Sequence, residues 1–284
     1  MAKITLWEAI RGRALNVLLL FALVMIGTAN FFSQLSLDQQ IKFVKDFSFG
    51  AMTLIGVLIA VVSVAQLLPQ EIESRTLFTL LSKPVRRWEF LVGKFLGIAL
   101  TLGLALLIMT LVFGVVLWLQ EKNLEQQIFQ QIQEAVSVEE TAEAREALQK
   151  VRSEVRDPYL LIALFMIYGR WLLMAAVALL ISTFSTSMLF TVVMTILMYV
   201  IGHLQATARE IWLDSSMIVS WLTKVMVVGV SLFFPDLQML SRVDDIVLGD
   251  VPNASELFYV LSYIGAYVGV AVTVACLIFS QREW

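Results

Sequence analysis

The 284-residue chain is 59% hydrophobic and 15% charged, where a soluble globular domain carries about 45–50% and about 25%. A mean hydropathy of +0.84 leaves too little polar surface to clothe a water-soluble core, and a net charge of −3 with its basic residues in short separate clusters gives no footprint for nucleic acid. One cysteine, Cys276, and one histidine, His203, exclude an intrachain disulfide framework and a zinc site built from several Cys and His.

Ile4, Trp7 and Ile10 recur at i, i+3 and i+6, with Lys3, Glu8 and Arg11 on the other side. The stretch 3–13 reads either as a short interfacial helix anchored by Trp7 or as an extension of the first span. Apolar segments near the length that crosses a bilayer, about 17 to 25 residues, follow at 14–32, 47–68, 95–119, 159–183, 188–202 and 258–279. The fifth is short. Pro69, Pro84, Pro158, Pro235 and Pro252 all fall outside them, as ends or connections. The first segment, with Gly27-Thr28-Ala29 near its end, has a signal-peptide reading too, but the apolar run continues through Phe31 and Phe32, which suits an anchor better.

Cytoplasmic loops carry the excess of Lys and Arg. Lys3, Arg11 and Arg13 precede the first span, and Arg75, Lys83, Arg86, Arg87 and Lys94 follow the second, which places both regions inside. In that loop a helix from about Ile72 to Leu81 puts Leu77, Leu80 and Leu81 on one face and Glu71, Ser74 and Arg75 largely on the other. Pro84 ends it, and Trp88 anchors the returning chain. It is either an element that receives force from a soluble partner or an ordinary charged loop.

The insert 120–157 then lies outside, with five basic and nine acidic residues. Leu124, Ile128 and Ile132, then Leu148, Val151 and Val155, predict two helices. Ser137 with Glu140 forms a capping-box signature for the second, and Asp157-Pro158 stops it. Such a hairpin contacts an extracytoplasmic partner, lids the pathway, or is a solvated spacer. The apolar stretch 217–234 holds Lys224 near its middle, which costs about 2.5–3.5 kcal/mol at a span centre, so it reads as a re-entrant or interfacial helix on the outer side. Six spans with both termini cytoplasmic follow.

From Glu71, Glu73, Arg75-Thr76-Leu77 and Leu80-Leu81-Ser82 through Pro84-Val85, Arg87, Glu89-Phe90 and Gly93-Lys94, the chain resembles the first cytoplasmic loop and coupling helix of type 2 ATP-binding-cassette (ABC-2) permeases. Ser182-Thr183-Phe184, Pro235-Asp236-Leu237 and Phe279 with Arg282-Glu283 extend the likeness along the chain. Arg75, where many members have Gly, looks like the branch of nitrous-oxide-reductase maturation and gliding-motility permeases. The resemblance implies an all-α integral membrane protein. Its six transmembrane helices take the type 2 exporter arrangement, with an N-terminal interfacial helix, a cytoplasmic coupling helix, an extracytoplasmic helical hairpin and an outer re-entrant helix, in one permease domain over 1–284. It further implies a bacterial inner-membrane location and pairing with a second permease, as homodimer or heterodimer. Separate ATPase subunits would dock on 71–82 through Glu71, Glu73, Arg75, Thr76, Leu77, Leu80 and Leu81. The chain would bind no cofactor itself, because Gly-x-x-x-x-Gly-Lys-Ser/Thr is absent; ATP and Mg would belong to the partner.

Arg170 falls near mid-membrane in the fourth span, and an intramembrane ion is by default a candidate functional residue, although it also suits snorkelling or a carbonyl partner at an interface. His203 reads as an interfacial hydrogen bonder, and Cys276, Met174, Met188, Met194 and Met198 as packing residues. Gly93-x-x-x-Gly97 and Gly265-x-x-x-Gly269 predict close helix contacts within the bundle or a dimer. An intramembrane hydrolase lacks the needed residues: there is one His, no Gly-x-Ser-x-Gly and no His-Glu-x-x-His. Two functions remain, an exporter permease and a scaffold or maturation factor that couples ATP hydrolysis to assembly of an envelope complex.

Overall fold

The computed structural model describes residues 5, 7, 11–33, 40–73, 87–134, 138–185, 187–214, 234–240 and 253–281. These are all-helical, with no strand among them. In chain order they form α1 (Arg13–Ser33), α2 (Gln40–Glu73), α3 (Arg87–Glu134), α4 (Val138–Val155), α5 (Leu160–Phe184), α6 (Met188–Asp214), a 3-10 turn at Gln238–Leu240 and α7 (Ala254–Gln281). Six helical stretches are long and apolar enough to cross a membrane; five of the six apolar segments lie inside one of them, and 47–68 overruns its stretch, Gln40–Gln66, by two residues. Most of 3–13 and 217–234, the residues 74–86 and Ser137 fall outside the described residues.

α5 is apolar on every side, the pattern of a helix enclosed by others. It packs against α2, α3, α6 and α7, while α1 lies on α2 and α3. α1 and α7 bury only a narrow stripe, leaving faces such as Val17, Leu20 and Val24, or Phe258, Leu261 and Val270, on the outside. Those faces are dressed for lipid.

α3 departs from expectation. The insert was expected to open with a helix of its own, but its first arm is the uninterrupted continuation of the third span, giving a 48-residue helix about 72 Å long. No Gly or Pro occurs from Val115 to Asp157 to stop it. α4 folds back along this extension. Leu124, Val151 and Val155 pack onto the core and Ile128 is buried, with Arg152 Nε donating to Glu125 Oε1 at 2.8 Å and Arg156 pairing with Glu121 at 3.6 Å. Exposed ion pairs contribute about 0–1 kcal/mol each, so the apolar seam holds the hairpin together more than the charges do. The base of this hairpin is tied to α2 where Gln120 donates to Gln40 at 2.8 Å. The fifth apolar segment also runs longer than its apolar part, in a helix of 27 residues.

Candidate functional site at mid-bundle and at the base of the third helix

At the end of the bundle where 74–86 joins α2 to α3, Glu71 and Glu73 close α2. Their side chains, and Arg75, Thr76, Leu77, Leu80 and Leu81 altogether, lie outside the described residues. What is described is where α3 begins. Phe90 stacks on Phe279 of α7 with ring centroids 6.1 Å apart, and Lys94 Nζ lies 5.8 Å from the Phe90 ring. All three are buried, Phe279 at 1% exposure. Two segments singled out in the sequence, nearly two hundred residues apart, thus meet where the loop feeds into the rod. Because burial of each ring is nearly complete, Phe279→Ala is expected to destabilise the bundle by about 3–5 kcal/mol. Thermal unfolding in detergent checks this, and an unchanged midpoint would contradict it.

The second locus is Arg170. It lies ten residues into α5 from Leu160, about 15 Å, and is only 5% exposed. Its three neighbours in sequence each touch a different helix, because successive residues turn by about 100° around the axis. Tyr168 donates its hydroxyl to the Ala99 carbonyl of α3 at 2.9 Å. Gly169 faces α7 so closely that a methyl there would sit 2.6 Å from Ile264 Cδ1. Trp171, fully buried, fills the notch left by Gly56 of α2, where a methyl would overlap the indole. By the same rotation Arg170 takes the remaining direction, between those of Gly169 and Trp171.

A strap from Phe234 to Leu240 enters the same layer. The Leu237 N–H donates to the Gly202 carbonyl of α6 at 3.2 Å, and the Asp236 N–H donates to the Tyr263 hydroxyl of α7 at 2.8 Å. Gly202 is required there: a methyl would sit 2.5 Å from the Pro235 carbonyl oxygen. Asp236 is itself only 5% exposed, and its Oδ1 accepts the Gln238 N–H at 3.1 Å, an Asx turn that shapes the strap. One turn along α6, Gln205 is buried, and among the described residues neither atom of its amide finds a partner. A buried polar group of this kind calls for an explanation.

Asp236, Gln205 and Tyr263 were therefore missed as site residues. Pro235-Asp236-Leu237 stood out only as a motif, and a Pro-Asp step ending an apolar run was the available signal. Of the two contacts expected of the glycine pairs, within the bundle or a dimer, the structure bears on the first. Among the described residues nothing lies within 4 Å of a methyl added at Gly265 or Gly269, whereas Gly56, Gly169 and Gly202 are in close contact. His203 lies against Tyr199, with ring centroids 5.6 Å apart. Cys276 is free and half-buried.

The family model described as ABC-2 family transporter protein matches residues 8–284. No curated protein matches the chain.

Proposed function

The chain belongs to the ABC-2 family of transporter proteins, and from that premise we propose that it is the permease subunit of an ATP-driven exporter, working by alternating access. The match across almost the whole chain carries this reading, and six apolar helices make the protein a multi-pass membrane protein. Energy would enter through 71–82, with Glu71, Glu73, Arg75, Thr76, Leu77, Leu80 and Leu81 docking on separate ATPase subunits that bind ATP and Mg. This chain would contribute no catalytic residue. The Phe90, Lys94 and Phe279 cluster supports that route, since a push on the loop reaches α3 and α7 together.

The membrane would be the bacterial inner membrane, with both termini cytoplasmic and the hairpin outside. A second permease, identical or not, would complete the pathway. The exposed α7 face with Gly265, Ala266 and Gly269 suits close helix approach between two subunits. The family match does not distinguish the maturation and gliding-motility branch, which rests on Arg75.

Purification from native membranes tests the reading. A stoichiometric ATPase subunit is expected to accompany the chain and to be lost with the double reversal Glu73→Lys, Arg75→Glu. A chain that purifies alone, or an ATPase retained by the reversed loop, would overturn it.

One observation favours the second reading, in which ATP hydrolysis drives assembly of an envelope complex. α3 runs without a break from the loop to the hairpin, so movement at the ATPase end has a rigid route to a partner on the hairpin.

A further inference from the structure

A cavity of about 220 Å³ lies between the 3-10 turn Gln238–Leu240 and the first turns of α7, lined by Met239, Ser255, Glu256, Tyr259 and Val260. Its walls are fixed. Val260 is buried with Leu240 and Ile264 in a small apolar cluster on which Met239 and Tyr263 also pack. The turn is held by the Leu240 N–H donating to the Leu237 carbonyl at 3.2 Å, and the strap before it by the Asp236 N–H donating to Tyr263. On the other side, the Glu256 and Leu257 N–H groups donate to the Asn253 carbonyl at 3.0 and 3.1 Å, which closes the first turn of α7. Ser255 and Glu256 precede the apolar segment 258–279, so the cavity sits at the rim of the bundle, at the end of α7 opposite Phe279.

The chemistry of the lining is one-sided. Glu256 and Tyr259 are three residues apart and share a side of α7, which sets a carboxylate beside an aromatic ring, and Met239 adds a polarizable thioether from the turn. None of the five lining residues is basic. Glu256 already has an interaction within the chain, and a carboxylate, with about four acceptor sites, has capacity beyond one partner. A ring and a carboxylate together favour a cation. A hard metal ion asks for a shell of oxygen ligands, and among the described residues no group of three or more His, Cys, Asp or Glu is gathered for one. At about 30 Å³ per water the cavity has the room of about seven waters, the scale of a small alkylammonium ion.

We propose that this cavity binds a small soluble organic cation of the quaternary ammonium class. The charge lies against Glu256, the methyl groups on the Tyr259 ring and the Met239 thioether, and Val260 forms the floor. The bound cation bridges the turn and α7.

The site goes beyond the permease reading and is tested apart from it, on the full-length protein in a maltoside detergent without nucleotide. The probes are choline and its uncharged isostere, in which a quaternary carbon replaces the nitrogen, each titrated by calorimetry. Choline is expected to bind saturably, and the isostere at least about tenfold more weakly. Glu256→Gln and Tyr259→Leu are each expected to weaken choline binding about tenfold, whereas Tyr259→Phe, which keeps the ring, holds it within about twofold. Tyr259 is 58% exposed, so these changes leave the core alone, and thermal midpoints matching the parent check that. Met239→Trp fills the cavity from the turn and is expected to abolish binding, which keeps the test available if an α7 variant does not accumulate. Absence of saturable choline binding, equal binding of the isostere, or full binding by Glu256→Gln, Tyr259→Leu or Met239→Trp would overturn the proposal.

Discussion

Gly56→Leu is expected to abolish accumulation of folded protein. Trp171 is fully buried on the central helix α5, and the space its indole occupies exists because Gly56 of α2 has no side chain. Even a single carbon there overlaps the ring. A leucine forces either the indole off its rotamer or α2 away from α5, and those two helices hold much of the bundle's buried surface. Overpacking of a tight core costs about 1–3 kcal/mol and sometimes more. Separating the two most enclosed helices belongs at the upper end, against a total stability of only about 5–15 kcal/mol. Trp171→Ala is expected to cost about 3–5 kcal/mol by opening a cavity. Combined with Gly56→Leu it should recover part of that loss, because the leucine then fills the vacated volume. Yield of monodisperse protein and its thermal midpoint in detergent measure all three. A Gly56→Leu variant with the parent's midpoint would show that the notch is not structural.

The six spans were legible because crossing a bilayer demands a property of composition, a run of apolar residues of fixed length, that does not depend on which neighbours the run acquires. Arg170 was legible for the same reason, as a charge inside such a run. Its setting was not. That Tyr168, Gly169 and Trp171 face three separate helices follows from α5 being enclosed, which is a tertiary fact. Asp236 was hidden because its depth comes from the strap folding back onto Gly202 and Tyr263, and no local pattern encodes a return into the bundle. Small-residue spacing announces a face that permits close approach without saying which way the face turns. Gly265 and Gly269 turn outward, while the isolated Gly56 and Gly202 do the packing. The continuity of α3 was within reach: a polar stretch rich in Gln and Glu, free of Gly and Pro, continues a helix as readily as it begins one. The coupling residues rest on the resemblance and on their position at the end of α2 and in the connection to α3.

Interrupting α3 beyond the membrane separates the two functional readings. Gln126 is exposed on the extension, eight residues before Glu134. Proline there removes an intrahelical hydrogen bond and clashes with the preceding turn, at about 3 kcal/mol or more, which is expected to kink the rod beyond the apolar segment while leaving the six spans in place. Hydrogen exchange across the chain, with and without ATP, in the complex with the ATPase subunit proposed for it is the measurement. If α3 is a transmission rod, ATP turnover in the unaltered protein changes amide exchange both at 87–100 and in α4. Gln126→Pro is then expected to abolish the change in α4 while preserving that at 87–100. If the protein is an exporter whose hairpin is a passive spacer, α4 exchange does not respond to ATP in either protein, and Gln126→Pro leaves ATP-dependent movement of α5 and α6 intact. The rod reading fails if α4 responds to ATP equally with and without the proline, because the signal would then reach the hairpin by a route other than the helix. The base of α4 offers that other route through Asp157 and Pro158 into α5. The brace between Gln120 and Gln40 offers a second through α2, so the proline variant decides among physical paths as well as between functions.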